Sequence, residues 1–182
     1  MTDAVSELRL PIALQTRSVR HRAGDDDVAS AVYRDLAPAV LGYLRSQRVA
    51  DPEDVLGEVF LHVARNLPRF RGDADALRRW VFTIAHHRIV DSWRRRRTRP
   101  VVVSDDVPER ADDSGSVEIF DPALQQALDG LSTQQRAVVL LRFVADLSLH
   151  DVARVTRRRV GAVKSLQHRG LCALQQALRA DE

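Results

Sequence analysis

The sequence predicts an all-α protein of two small helical domains joined by a flexible linker, and three observations carry that reading. Ala, Leu, Arg, Gln and Glu are plentiful while aromatics make up only 5%, which favours helix over sheet. Apolar residues recur at spacings of three and four through most of the chain, the period of a helix with one buried stripe. Between residues 99 and 121 that period fails, and Pro100, Pro108, Gly115 and several Ser and Asp residues take its place.

Residues 1–27 mix single apolar residues with Arg17, Arg20, Arg22 and the acidic run Asp25, Asp26 and Asp27, and read as a tail. Residues 28–48 carry Val32, Leu36, Val40, Leu41 and Leu44 on one stripe, a first helix bent or interrupted near Pro38. Asp51 can cap the next helix, Pro52 suits its first position, and Asp54 completes a pattern like a capping box. This helix, residues 52–67, turns Val55, Leu56, Val59, Phe60, Val63 and Leu67 inward and stops at Pro68; Asp51, Glu53, Asp54 and Glu58 make its first half acidic. After a loop over 68–72 with Asp73 as cap, Leu77, Trp80, Val81, Ile84, Ala85 and Trp93 support a long helix to about Arg97.

Residues 28–98 thus form a first domain and 122–182 a second. The second opens with a short helix over 122–128. Ser132 with Gln135 forms a capping box for a helix through Val144, and Ser148 with Asp151 repeats the device for a short helix to about Val155. After the turn at 156–159, Val163, Leu166, Leu171, Leu174 and Leu178 mark a last helix over 160–178.

Charge is distributed in blocks. Residues 65–99 carry eleven Arg against Asp73, Asp75 and Asp91; residues 101–123 carry seven acids against Arg110; residues 147–182 return to a net of +4. Two basic blocks flanking an acidic one point to a polyanionic partner. The single cysteine, Cys172, excludes an internal disulfide framework and suits a reducing cytoplasm. No spacing suggests a metal site, no cofactor motif is present, and no 18-residue apolar run implies membrane insertion.

Helix 148–155, a turn and helix 160–178 have the proportions of a helix-turn-helix, whose second helix enters the major groove. Arg157, Arg158 and Arg159 stand at the start of that helix, where the macrodipole disfavours cations unless an anion is bound. Lys164, Ser165, Gln167, His168 and Arg169 offer donors to phosphates or base edges; a solvated helix face is the alternative. In the first block Phe70, Trp80, Phe82 and Trp93 lie among the arginines, a mixture suited to unstacked single-stranded bases, with core packing the alternative for Trp80 and Trp93. The run Arg94 to Arg97 exceeds what a helix C-terminus asks for. Adjacent His86 and His87 point to different sides of their helix without a carboxylate cluster, so no catalytic residue is assigned and an enzyme is not expected.

The segment DPEDVLGEVFLHVARNLPRFRGDADALRRWVFTIAHHRIVDSWRRRR, within 31–97, resembles the second conserved region of extracytoplasmic-function sigma factors, and LSTQQRAVVLLRFVADLSLHDVARVTRRRVGAVKSLQHRGLCAL, within 121–178, resembles their fourth. The resemblance implies sigma domain 2 as a bundle of three to four helices, and sigma domain 4 with its helix-turn-helix. It implies a transcription initiation factor that directs core RNA polymerase to promoters; the alternative is a stand-alone helix-turn-helix regulator.

The resemblance further implies that Asp51, Glu53, Asp54 and Glu58 dock on the clamp helices of the largest polymerase subunit, with domain 4 on the flap of the second-largest. It assigns Arg69, Phe70, Arg71, Arg78, Arg79, Trp80, His86, His87, Asp91, Arg94, Arg95, Arg96 and Arg97 to the minus-10 element. To the minus-35 element it assigns Arg157, Arg158, Arg159, Lys164, Ser165, Gln167, His168 and Arg169. An anti-sigma factor is a further implied partner. The chain departs from the family pattern with His87 for Asn, Arg157 for a turn glycine, Arg159 for a Ser cap and Leu166 for Arg. The acidic linker, with Asp105, Asp106, Asp112 and Asp113, has the charge to screen the basic faces.

Overall fold

Pro38 lies inside the first helix and does not interrupt it. The structure, a computed structural model, describes residues 25–98 and 121–180, with side chains described for 28–95 and 121–180. The tail before residue 25, the linker acids at 105–113 and the last two residues lie outside the described residues. Helix α1 (Asp25–Ser46) begins within the expected tail and passes through Pro38 unbroken. The proline removes one N–H donor, but Val32, Leu36, Ala37, Val40 and Leu44 stay buried to either side of it, and that stripe outweighs the missing bond.

Helix α2 (Pro52–Asn66) starts at its proline, but the Asp51 side chain makes no capping bond. At φ −125° and ψ 76° Asp51 is off the extended conformation that turns a cap over the helix end. A single 3₁₀ turn, Leu67–Arg69, follows, and then α3 (Ala74–Thr98), where Oδ1 of Asp73 accepts from the Ala76 N–H at 2.8 Å.

Helices α4 (Pro122–Asp129), α5 (Thr133–Phe143), α6 (Leu149–Thr156) and α7 (Val160–Ala180) complete the described chain. Asp121, Ser132 and Ser148 each cap with the side chain, and the Ser132–Gln135 box is complete in both directions. No strand occurs among the described residues.

α1, α2 and α3 pack on one another around Val40, Tyr43, Leu44, Val59, Val63, Val81, Phe82 and Ile89. In the second module α7 lies across α4, α5 and α6. Gly170 permits its close approach: a Cβ there would stand 2.9 Å from Cγ2 of Val139. α3 also packs against α6 and α1 against α4, so the buried apolar residues of both modules form one continuous cluster.

Candidate nucleic-acid interface

The loop entering α3 is drawn tight by its own side chains. Arg71 donates to the carbonyls of Pro68 (3.1 Å) and Phe70 (2.8 Å), and the Phe70 ring stacks on Trp80 with centroids 5.2 Å apart and planes 20° from parallel. His62 of α2 approaches the same indole at 6.3 Å. At Gly72 a Cβ would sit 2.9 Å from both the Phe70 ring and Ala76, so a side chain there would push the phenyl from the indole. Arg69 and Arg71 are exposed beside this aromatic pair, which is half-buried.

Along α3 the candidate residues separate by direction. Arg78 donates to the Ala145 carbonyl (3.2 Å), and Arg79 forms an ion pair with Asp151 (2.8 Å); both acceptors belong to the second module. His86 turns inward, only 9% exposed, and its Nδ1 lies 2.8 Å from the Tyr43 hydroxyl. His87 is half-buried with Nε2 unpartnered, and its pKa is lowered, by burial first and then by the charge of Arg157, against the pull of Asp91. Asp91, Arg94 and Arg95 are exposed, and Trp93 is half-buried. Arg96 and Arg97 lie in α3, but their side chains fall outside the described residues.

The second module presents a helix-turn-helix. α6 ends in a Schellman pattern, with the Arg158 N–H on the Ala153 carbonyl (2.9 Å) and the Arg157 N–H on that of Arg154 (3.3 Å). Arg157 occupies the left-handed region at φ 54° and ψ 44°, so the turn keeps a glycine-like backbone without a glycine. Arg157, Arg158 and Arg159 are exposed at the start of α7, as are Lys164, Ser165, His168 and Arg169 along it. Gln167 is half-buried. Leu166 is buried with Val163, Gly170 and Leu174, which makes it part of the packing against the module and removes it from the reading face.

The acidic side of α2 stands apart from both basic surfaces in sequence and sign. Asp51, Glu53, Asp54 and Glu58 are exposed. Glu53 pairs with Arg45 at 2.7 Å, and the Arg45 hydrogen bond holds its carboxyl below the ordinary range; Glu58 faces Arg88 at 3.3 Å. Leu61, 57% exposed, adds an apolar spot one turn beyond Glu58, and Phe143 at the end of α5 is 54% exposed. Sequence reasoning passed over both, although each is a large apolar residue off its helix's buried stripe. Among the described residues no group of three or more His, Cys, Asp or Glu is arranged to hold a metal, and no helix is long and apolar enough to cross a membrane.

Comparison with known proteins places both modules. A family model described as Sigma-70 region 2 matches residues 32–99, and one described as Sigma-70, region 4 matches residues 122–174. The chain is 30% identical over 170 residues to the ECF RNA polymerase sigma factor BldN of Streptomyces coelicolor, covering 89% of this chain and 64% of BldN. It is 31% identical over 173 residues to the ECF RNA polymerase sigma factor ShbA of Streptomyces griseus, covering 85% of this chain and 91% of ShbA. In fold it resembles the sigma factor RpoE in complex with the anti-sigma factor NepR from Bartonella quintana, with TM-score 0.64, 22% identity, and coverage of 84% of this chain and 98% of that one. It likewise resembles CnrH in complex with the cytosolic domain of CnrY, with TM-score 0.63, 22% identity, and coverage of 87% and 92%.

Proposed function

The chain belongs to the extracytoplasmic-function RNA polymerase sigma factors, and we propose that it binds core RNA polymerase and directs it to promoters, with its three charged surfaces dividing the work. The observation that carries this is the pairing of two different basic modules in one chain, matched to regions 2 and 4 in that order. A stand-alone helix-turn-helix regulator needs only the second and leaves the first without a role. The protein contributes no chemistry of its own and works in the cytoplasm, where the polymerase is.

The exposed acids of α2, Asp51, Glu53, Asp54 and Glu58, dock on the clamp helices of the largest subunit, with Leu61 as the apolar centre that such a charged rim needs. Phe143 gives the second module a comparable apolar contact for the flap. On the promoter, Arg69, Arg71, Arg78, Arg79 and the arginines at 94–97 neutralise phosphates of the separated non-template strand. Bases unstacked from the minus-10 element lie against Phe70, Trp80 and His87, each stack contributing roughly 1–3 kcal/mol. Asp91 can accept from an exocyclic amine, and His86 beneath them holds α3 to α1 through Tyr43. In the minus-35 major groove, Arg157, Arg158 and Arg159 anchor phosphates at the dipole end of α7, while Lys164, Ser165, Gln167, His168 and Arg169 face the bases and backbone. An anti-sigma factor is a further partner: RpoE and CnrH, which share the fold, are each described in complexes, RpoE with an anti-sigma factor.

The test is run-off transcription from genomic fragments with purified core enzyme. Transcripts with discrete starts that require the protein are expected. If core enzyme initiates identically with and without it across such a library, the assignment is wrong.

A further inference from the structure

A cavity of about 510 Å³ opens between the two modules, within the size range of small-ligand sites. Val90 and Trp93 of α3 wall one side and Ala137 of α5 the other, while Thr133, Gln134 and Arg158 supply polar groups. Flat ring surface, apolar walls and a few convergent donors are what a site for a small organic molecule requires. The walls are fixed from outside. Arg79 meets Asp151 at 2.8 Å, Arg48 holds both oxygens of Asp129 (2.8 and 3.0 Å), and the buried guanidinium of Arg136 donates to the Ser46 carbonyl at 3.2 Å, all along the seam between the modules. A ligand therefore enters a preformed space and loses little affinity to ordering the protein.

Charge decides the class of ligand. No Asp or Glu lines the cavity. Arg158 is exposed, and its guanidinium has no ion-pair or hydrogen-bond partner among the described residues. His86 also lines the space and brings no charge at pH 7: Tyr43 holds its Nδ1, and it titrates at about 4, lowered by burial first and then by His87 and Arg158. An unpaired cation whose field reaches the buried wall calls for an anion.

We propose that this cavity binds a small planar organic anion, its ring laid against Trp93 and its oxyanion on Arg158, with Thr133 and Gln134 taking a polar edge. Two classes of molecule share that chemistry, nucleoside monophosphates and aromatic carboxylates. Because the ligand touches both modules at once, its binding stabilises the folded chain and raises its unfolding temperature.

The test is isothermal titration calorimetry on the full chain at low salt, with AMP, anthranilate, inorganic phosphate and adenosine as probes. Saturable binding of AMP or anthranilate with Kd below about 1 mM is expected, and which of the two binds distinguishes the classes. Phosphate alone and adenosine alone each lack half of the chemistry and should bind at least about tenfold more weakly. Arg158→Gln should weaken binding by roughly ten- to hundredfold, and Trp93→Leu by roughly three- to tenfold. Arg179→Gln, at an exposed arginine at the far end of α7, should leave binding unchanged. Arg158 is exposed, so its variant keeps the fold even where Trp93→Leu loosens it, which circular dichroism checks. Failure of both ring-bearing anions to bind, binding that Arg158→Gln leaves intact, or phosphate binding as tightly as either overturns the proposal. No polymerase enters the measurement, so a negative result leaves the sigma-factor reading standing, and run-off transcription tests that reading separately.

Discussion

The hydroxyl of Tyr43 lies 2.8 Å from Nδ1 of His86, joining α1 to α3 across a buried polar pair. Tyr43 has no exposed surface, and burial drives its pKa upward, so the hydroxyl stays protonated beside a neutral imidazole. His86 titrates at about 4, lowered from 6.5 by burial first and then by His87 and Arg158.

Because the folded value is the lower one, the unfolded chain takes up the proton first as pH falls. The contribution of His86 is therefore complete above about pH 6.5 and is lost progressively down to about pH 4. Urea denaturation at pH 7.5 and pH 5 should differ by about 2 kcal/mol through this group. In His86→Gln the difference should shrink; an equal acid loss in both proteins contradicts the assignment. Tyr43→Phe strands Nδ1 and should cost about 1–3 kcal/mol at pH 7.5.

Arg157 sits at φ 54°, where a side chain is strained by about 1–2 kcal/mol relative to glycine. Arg157→Gly should raise stability by roughly 0.5–1 kcal/mol after the entropy of the unfolded glycine is counted. The same change removes a proposed phosphate anchor, so the salt dependence of minus-35 duplex binding should lose about 0.9 from its log–log slope. A more stable protein with an unaltered slope would place Arg157 off the DNA.

Gly170→Ala sets a methyl 2.9 Å from Cγ2 of Val139. Overpacking of this kind costs about 1–3 kcal/mol, measured as a lower urea midpoint. Adding Val139→Ala should recover part of the loss by vacating the contact. If the double variant is no better than the sum of the singles, the clash lies elsewhere.

Two cap positions should behave oppositely. Ser132→Ala removes a complete capping box and should cost about 1 kcal/mol. Asp51→Ala removes a side chain that bonds nothing at its helix end and should leave stability within about 0.5 kcal/mol while weakening binding to core polymerase.

The helices were largely legible because their signals are local: Asp73, Ser132 and Ser148 cap where their spacing to the next stripe says they should. An interruption at Pro38 does not occur, because a breaker residue is read without knowing how much buried surface lies on either side. His86 and His87 were both assigned to the minus-10 element, yet His86 falls on the stripe of Phe82 and Ile89 at spacings of four and three, which is the signal that it points inward. The departures at Arg157 and Leu166 resolve differently: the backbone accepts strain at the first, and the core absorbs the second. The docking of one module on the other was not legible. Arg79 and Asp151 are 72 residues apart, and no periodicity links an arginine in one helix to a carboxylate in another.

The guanidinium of Arg136 also touches the carbonyls of Asp129 (3.0 Å) and Leu131 (3.3 Å), both in its own module. Only the Ser46 oxygen lies across the seam; the other acceptors, with the Asp129 carboxylate at 3.4 Å, belong to the corner between α4 and α5, so the cation braces that corner whether or not α1 lies against it.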